Sequence, residues 1–255
     1  MTSTDWNSNP VLQPLIALAR ASPEIEGLIL SGSRGAGVHD AESDYDIEWV
    51  LNDQAYTERM THEESLRLPY DPERPWLDGV YTSCEKLAQI AAEASWPVGG
   101  YLTAQVLYDK TGRVTELVQA MGILSEEQAQ RDVLGWFDAY INAFYRSLKA
   151  WRRGNELGGR LQAAESVMHL VRVLFALERR RSPYHDRLVW QLDTLDTQGW
   201  QPDYLRQTLL HLLQTGDPRR QQELELRAES LLRARGFEVN LWEGEIERVK
   251  AFRFE

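Results

Sequence analysis

Two aspartates one residue apart, Asp44 and Asp46, follow a Gly-Ser pair, Gly32–Ser33, after an interval of ten residues in the stretch GLILSGSRGAGVHDAESDYDIEWVL (Gly27–Leu51). Paired carboxylates suit Mg2+, a hard cation that prefers oxygen ligands and keeps positions for water and phosphate. A glycine lets the backbone approach a phosphate closely, and the N–H and hydroxyl of the adjoining serine can donate to its oxygens. The chemistry on offer is the handling of a metal-bound phosphate. Three local motifs fail on residue type. The stretch holds no lysine, so it is no ATPase-type phosphate loop ending in Gly-Lys-Ser/Thr. Gly32, Gly35 and Gly37 run in the reverse order of the dinucleotide fingerprint G-x-G-x-x-G. A calcium loop beginning at Asp44 would set Trp49 where glycine is required and Ala55 where glutamate is required.

Two carboxylates act jointly only if one rigid element holds them. Side chains alternate across a strand, so a strand over DYDIEWVL turns Asp44 and Asp46 to one face and Tyr45 and Ile47 into the core. Glu48 falls on the aspartates' face and reads as an edge-exposed or supporting carboxylate. IEGLILSG reads as a buried strand ended by glycine, and WLDGVYTS and TAQVLYD as a third and a fourth strand. Helices are predicted over 10–21, with Leu12, Leu15, Ile16 and Ala19 on one stripe, and over TGRVTELVQAMG. Another covers SCEKLAQIAAEA, capped by Ser83 with Glu85 and Glu93 facing outward. The Pro-rich segment 69–75 reads as a loop.

From Leu124 the pattern becomes helical, over 126–153, 157–180, 184–196, 202–214 and 218–235, with breaks at RRGNELGG and RRRSPYHD. The closing FEVNLWEGEIERVKAF fits neither period cleanly. Strands mixed with helices, then helices alone, predict an α+β chain: a small mixed sheet with flanking helices over 1–123, then an all-α bundle over 124–255.

A chain of 255 residues can hold one large or two modest domains. Its 43% apolar and 26% charged residues argue against general disorder. No apolar run approaches the roughly 20 residues that cross a bilayer, and MTSTDWNSNPVLQPL lacks the basic start and apolar centre of a secretory signal, so no membrane partner is expected. The single cysteine, Cys84, forbids an intrachain disulfide and points to a reducing, cytoplasmic setting; without a paired histidine it reads as a packed thiol. The five histidines show no zinc-ligand spacing. A net charge of -11 repels polyanions, which argues against nucleic acid and favours a cationic small molecule.

Gly-Ser, some ten residues, then Asp-Tyr-Asp-Ile resembles the signature of the nucleotidyltransferase superfamily, the fold of DNA polymerase beta. The likeness spans roughly residues 25–85 by motif, and the helical half is more loosely similar to the C-terminal domains of aminoglycoside and lincosamide nucleotidyltransferases. The resemblance implies a third carboxylate on a later strand, which is Asp78 in WLDGVYTS, although Asp71, Glu73 and Glu85 lie nearby. It implies that Asp44, Asp46 and Asp78 hold Mg2+, with Asp78 binding a second ion or serving as base. It implies too that Gly32, Ser33 and Arg34 meet a nucleoside triphosphate, by expectation ATP. Arg34 also reads as a simple loop charge.

The helical domain would close the cleft and select a small hydroxylated acceptor, an aminoglycoside-like cation being the leading candidate. There Glu165, beside the stripe Ala164, Met168, Val171 and Phe175, is either a general base or ligand for a cationic substrate, or an exposed carboxylate paired with Arg160 or Arg172. His185 and Arg187 stand where related proteins carry a basic residue near the nucleotide phosphates, while Arg179–Arg181 suit a helix C-terminus. The implied reaction moves a nucleoside monophosphate to a hydroxyl and releases pyrophosphate, in a monomer or homodimer. Nucleotidylation of a protein, and nucleotide binding without turnover, are the alternative readings.

Overall fold

The computed structural model describes residues 6–61, 73, 76–93, 98–195, 200–239 and 244–254. The loop expected over 69–75 lies outside the described residues except for Glu73, and so does Asp71. The chain is α+β and forms two compact units, Met1–Ile123 and Leu124–Glu255.

The first unit is a mixed sheet with helices on both faces. Helix α1 (Leu12–Ala21) leads into β1 (Ile25–Leu30), a short turn of helix α2 (Gly32–Gly35) and β2 (Tyr45–Leu51). Helix α3 (Asp53–Thr61) follows, then β3 (Leu77–Ser83), α4 (Cys84–Glu93), α5 (Val98–Tyr101), β4 (Gln105–Asp109) and α6 (Arg113–Met121). The strand order is β3-β2-β1-β4; β1 is antiparallel to both β2 and β4, and β2 runs parallel to β3.

Alternation along β1 and β2 sorts the core into two layers. Tyr45, Ile47, Trp49 and Leu51 share one layer with Leu28 and Leu30 and meet the buried stripe Leu12, Leu15, Ile16 and Ala19 of α1. Ile29 and Val50 face the other way, onto Leu87 of α4, Tyr101 of α5 and Val114, Val118 and Met121 of α6. Ser83 caps α4, its Oγ accepting from the Lys86 N–H at 3.2 Å.

The second unit is all helical. Helix α7 (Glu126–Arg152) opens on a capping box: the Gln128 N–H donates to Ser125 Oγ at 3.1 Å, while Gln128 Oε1 accepts from the Ser125 N–H at 3.0 Å. Asn155 caps α8 (Glu156–Leu177), accepting from the Gly158 N–H at 3.0 Å. Then come α9 (Leu188–Leu192), α10 (Pro202–Thr215), α11 (Pro218–Ala234), which Asp217 caps, and α12 (Glu245–Lys250). Phe137, Tyr140, Leu170, Leu174, Leu209 and Leu224 lie in one core joining α7, α8, α10 and α11.

Three expectations change here. The helix expected over 184–196 is a 3-10 turn at His185–Arg187 followed by the five residues of α9, and residues 196–199 lie outside the described set. Leu192 and Leu195 reach the bundle core with Leu188 packed against it, while Val189 and Trp190 are exposed, so the apolar pattern is served by a short helix and the turn after it. On α8 the buried arc runs through Ala163, Ser166, Val167, Leu170 and Leu174 as well as Val171 and Phe175, while Met168 is exposed. Packing against both α7 and α10 widens the buried face past the stripe expected through Ala164 and Met168. Last, the uncertain C-terminal stretch contributes helix α12. Among the described residues, no helix is long and apolar enough to cross a membrane.

Candidate active site

The end of β1 and the start of β2 meet at Gly32. The Ser31 N–H donates to the Asp46 carbonyl at 2.9 Å, which carries the antiparallel pairing one step past β1. Gly32 follows in the left-handed region at φ +63°, where a side chain is strained. A Cβ added there would stand 1.6 Å from Asp46 Oδ2 and 2.6 Å from Cγ. The Asp46 carboxylate is therefore seated against bare backbone, in space that only glycine leaves open.

Asp46 and Asp78 are register partners across the parallel β2–β3 pair. Neighbouring strands lie about 4.8 Å apart, and partners in register turn to the same face. Two carboxylates thus stand side by side at the strand starts, Asp46 half-buried and Asp78 exposed. Asp44 lies one residue before β2 and is exposed. Among the described residues, no three His, Cys, Asp or Glu side chains gather into a group that could hold a metal ion. What the strands do bring together is the Asp46–Asp78 pair, two donors with oxygen-only chemistry of the kind hard cations prefer, with Asp44 at the approach to the strand.

Ser33 is half-buried in the turn of α2, and its carbonyl accepts from the Val38 N–H at 3.0 Å. Arg34 folds back on the segment before β2. Its Nη2 donates to the Ser43 carbonyl at 2.7 Å, its Nε to the Asp44 carbonyl at 3.0 Å, and its guanidinium lies 4.0 Å from the Tyr45 ring centroid. The side chain is not a loose surface charge; it ties the Gly32–Gly35 turn to the residues that present the aspartates. Planar, forked donors over an aromatic face suit that task better than a point charge.

Behind the pair sits Glu48, on the same strand face as Asp46. It is buried, because β2 is an interior strand, so the edge-exposed placement expected for it does not hold. The Tyr101 hydroxyl donates to Glu48 Oε2 at 2.6 Å, and Ser31 bonds the same carboxylate. Burial pushes its pKa up to about 6, against the pull of the Tyr101 and Ser31 bonds. No local motif marks Ser31 or Tyr101 in the sequence. Glu48 carried the right parity, but Tyr101 lies 53 residues further along and nothing local connects the two.

Cys84 is buried at the start of α4, its thiol donating to Glu26 Oε2 at 3.4 Å, and burial with that bond pushes its pKa up to about 11.

The remaining candidates belong to the second unit. Glu165 is exposed on α8, accepts from Gln162 Nε2 at 2.7 Å and lies 3.9 Å from His169 Nε2. Its two anticipated partners are engaged elsewhere: Arg160 pairs with Glu156 at 2.6 Å, and Arg172 lies 4.4 Å from the Trp136 ring centroid. His185 is exposed in the 3-10 turn, and Arg187 Nε lies 3.6 Å from Asp186. Arg180 donates to the Thr194 carbonyl at 3.2 Å and to Gln191 Oε1 at 3.0 Å, joining the segment after α8 to α9 and the residues that follow it.

No protein-family model matches the chain, and no curated protein matches it. Among solved structures, the chain is similar to a nucleotidyltransferase-like protein from Exiguobacterium sibiricum 255-15, at 13% identity and a TM-score of 0.48, over 88% of this chain and 73% of that one.

Proposed function

We propose that this chain is a Mg2+-dependent nucleotidyltransferase that moves the nucleoside monophosphate of a triphosphate, ATP in the first instance, to a hydroxyl of a small molecule and releases pyrophosphate. The observation that carries the reading is the seat of Asp46 against Gly32, with Asp78 in register beside it. A carboxylate pair set beside a stretch of bare backbone is suited to hold a cation and a phosphate at once.

Asp46 and Asp78 would hold Mg2+ between them, with Asp44 outside that pair at the approach to the strand. Bound there, the ion would neutralise charge on the phosphate oxygens. The Ser33 N–H and hydroxyl would donate to those oxygens, and Gly32 would let them approach. Arg34 keeps the turn and the aspartates in fixed relation. The acceptor oxygen attacks the α-phosphorus, one O–P bond forms as the bond to the bridging oxygen breaks, and the electron pair leaves with pyrophosphate. The hydroxyl proton passes to a carboxylate, Asp78 in this reading, because a hydroxyl is a poor nucleophile until it loses its proton. Acceptor selection would fall to the helical unit, where Glu165 is the exposed carboxylate that could bind a cationic group. The chain's net charge of -11 favours aminoglycoside-like polycations as the first acceptors to try.

The test is incubation with Mg2+, labelled ATP and a panel of aminoglycosides, lincosamides and other hydroxylated small molecules. A mass gain of one AMP on an acceptor, with stoichiometric pyrophosphate, is expected, and Asp46→Asn should abolish both while keeping the native circular dichroism. Pyrophosphate release no greater than background across the panel, or activity that survives Asp46→Asn, refutes the proposal.

A further inference from the structure

Beside the α7–α8 turn lies a hollow of about 460 Å3 whose walls carry three cations and no carboxylate. Arg146 and Lys149 project from α7, Arg153 from its C-terminal cap, and Asn142 continues the same face, at a spacing of four, three and four residues. Asn155 and Gln162 of α8 form part of the opposite wall. In a chain with 39 acidic and 28 basic residues, unmatched cations in one place call for a reason. Elsewhere in this unit several arginines find carboxylates, Arg160 with Glu156, Arg220 with Glu223 and Arg233 with Glu229, and others such as Arg172 and Arg227 stand singly over aromatic rings. Among the described residues, Arg146, Lys149 and Arg153 enter no ion pair.

Neutral groups orient the cations instead. Arg146 Nε donates to Asn142 Oδ1 at 2.6 Å, and Lys149 Nζ donates to Tyr145 Oη at 3.1 Å. Such contacts hold a charge in place without neutralising it. The C-terminal dipole of α7 accounts for a cation in its last turn, but the effect fades within that turn, and Arg146 stands seven residues before Arg153. At the turn the positive N-terminal end of α8, at Asn155, offsets the negative C-terminal end of α7, at Arg153, so the charge of the hollow rests on its side chains.

The rest of the lining speaks for hydroxyl groups. Gln162 Oε1 is buried and accepts no hydrogen bond. A second hollow of about 350 Å3 shares Asn142, Arg146 and Gln162 with the first and reaches Glu165 and His169. The two make one trough, cationic at the turn and rich in acceptors at its other end.

We propose that the α7–α8 trough binds a small phosphorylated, hydroxyl-bearing molecule. Its phosphate sits among Arg146, Lys149 and Arg153, and its hydroxyls bond Asn142, Gln162 and Glu165. The site lies wholly within the helical unit; it shares Glu165 with the transferase reading, but its phosphate pocket of Arg146, Lys149 and Arg153 does not depend on that reading.

Isothermal titration of the full chain in EDTA tests it, with glucose 6-phosphate, AMP, glucose and inorganic phosphate as titrants. Saturable binding of glucose 6-phosphate or AMP is expected, at least fivefold tighter than inorganic phosphate, with none for glucose; the tighter of the two names the source of the phosphate. Lys149→Ala with Arg153→Ala should weaken it tenfold or more, as should Arg153→Glu as a second variant, with melting temperatures unchanged. Asp46→Asn, in the other unit, should leave it intact. Absence of saturable binding, equal affinity for inorganic phosphate, or binding indifferent to both trough variants overturns the proposal. So does a short single-stranded RNA that displaces the sugar phosphate at lower concentration, since the trough would then serve a nucleic acid.

Discussion

Replacing Gly32 by alanine separates backbone strain from the seat of Asp46. The substitution places an L-residue at φ +63°, a conformation that costs about 1–2 kcal/mol. Its Cβ would meet Asp46 Oδ2 at 1.6 Å and Cγ at 2.6 Å, so the carboxylate or the turn must move by more than 1 Å. Forced repacking of that kind costs roughly 1–3 kcal/mol more. Gly37 is the control: at φ +72° it carries the same strain, but an added Cβ finds nothing within 4 Å. Gly37→Ala should therefore lose about 1–2 kcal/mol and keep nucleotidyl transfer. Gly32→Ala should lose roughly 2–5 kcal/mol and at least about 100-fold in transfer rate, since a 1 Å misplacement of reacting groups costs that much. Thermal unfolding followed by circular dichroism reads the first quantity, at roughly 3–6 °C per kcal/mol for a unit of this size. Pyrophosphate release reads the second. Equal melting temperatures for the two variants, or full transfer by Gly32→Ala, would refute the argument that Asp46 needs the space glycine leaves.

Arg34→Lys should lose about 1 kcal/mol and at least about tenfold in transfer, because an ammonium cannot bond both the Ser43 and Asp44 carbonyls while stacking on Tyr45; unchanged turnover would remove the positioning role. Burial pushes Glu225 up to about 7 against the pull of Lys250 Nζ, 3.2 Å away, from an ordinary value of 4.5. Between those values the folded chain keeps a proton that the unfolded chain has lost, so the contribution of this group is fully present below about pH 4.5 and declines as pH rises to about 7. Glu225→Gln should flatten that part of the urea-stability profile, and an unaltered slope would count against it. Cys84, with its thiol held up at about 11, should resist an aromatic disulfide reagent at pH 8 in native protein and react in urea; prompt native labelling would contradict its burial.

Local pattern carried much of the first unit. The parity of DYDIEWVL is the parity of β2, with Tyr45, Ile47, Trp49 and Leu51 in one layer, and Leu12, Leu15, Ile16 and Ala19 form the buried face of α1. These are short-range consequences of the two side-chain periods, which any stretch of chain expresses by itself. In the second unit, α8 shows how far the same signal reaches: period 3.6 marked a helix, but the width of its buried arc depends on how many neighbours it packs against.

What the sequence determined by itself is the presence of a glycine turn, two closely spaced aspartates and the strand that carries the second. Tertiary structure alone decided that Asp78 is the register partner of Asp46, that Arg34 turns back to Ser43 and Asp44, and that Glu48 is buried under Tyr101. It also decided that Arg146, Lys149 and Arg153 face one hollow with no carboxylate. The physical reason is range. Alternation and helical period are written into neighbouring residues, whereas a strand's place in its sheet and a charge's partner are set by residues dozens of positions away, which only packing brings together.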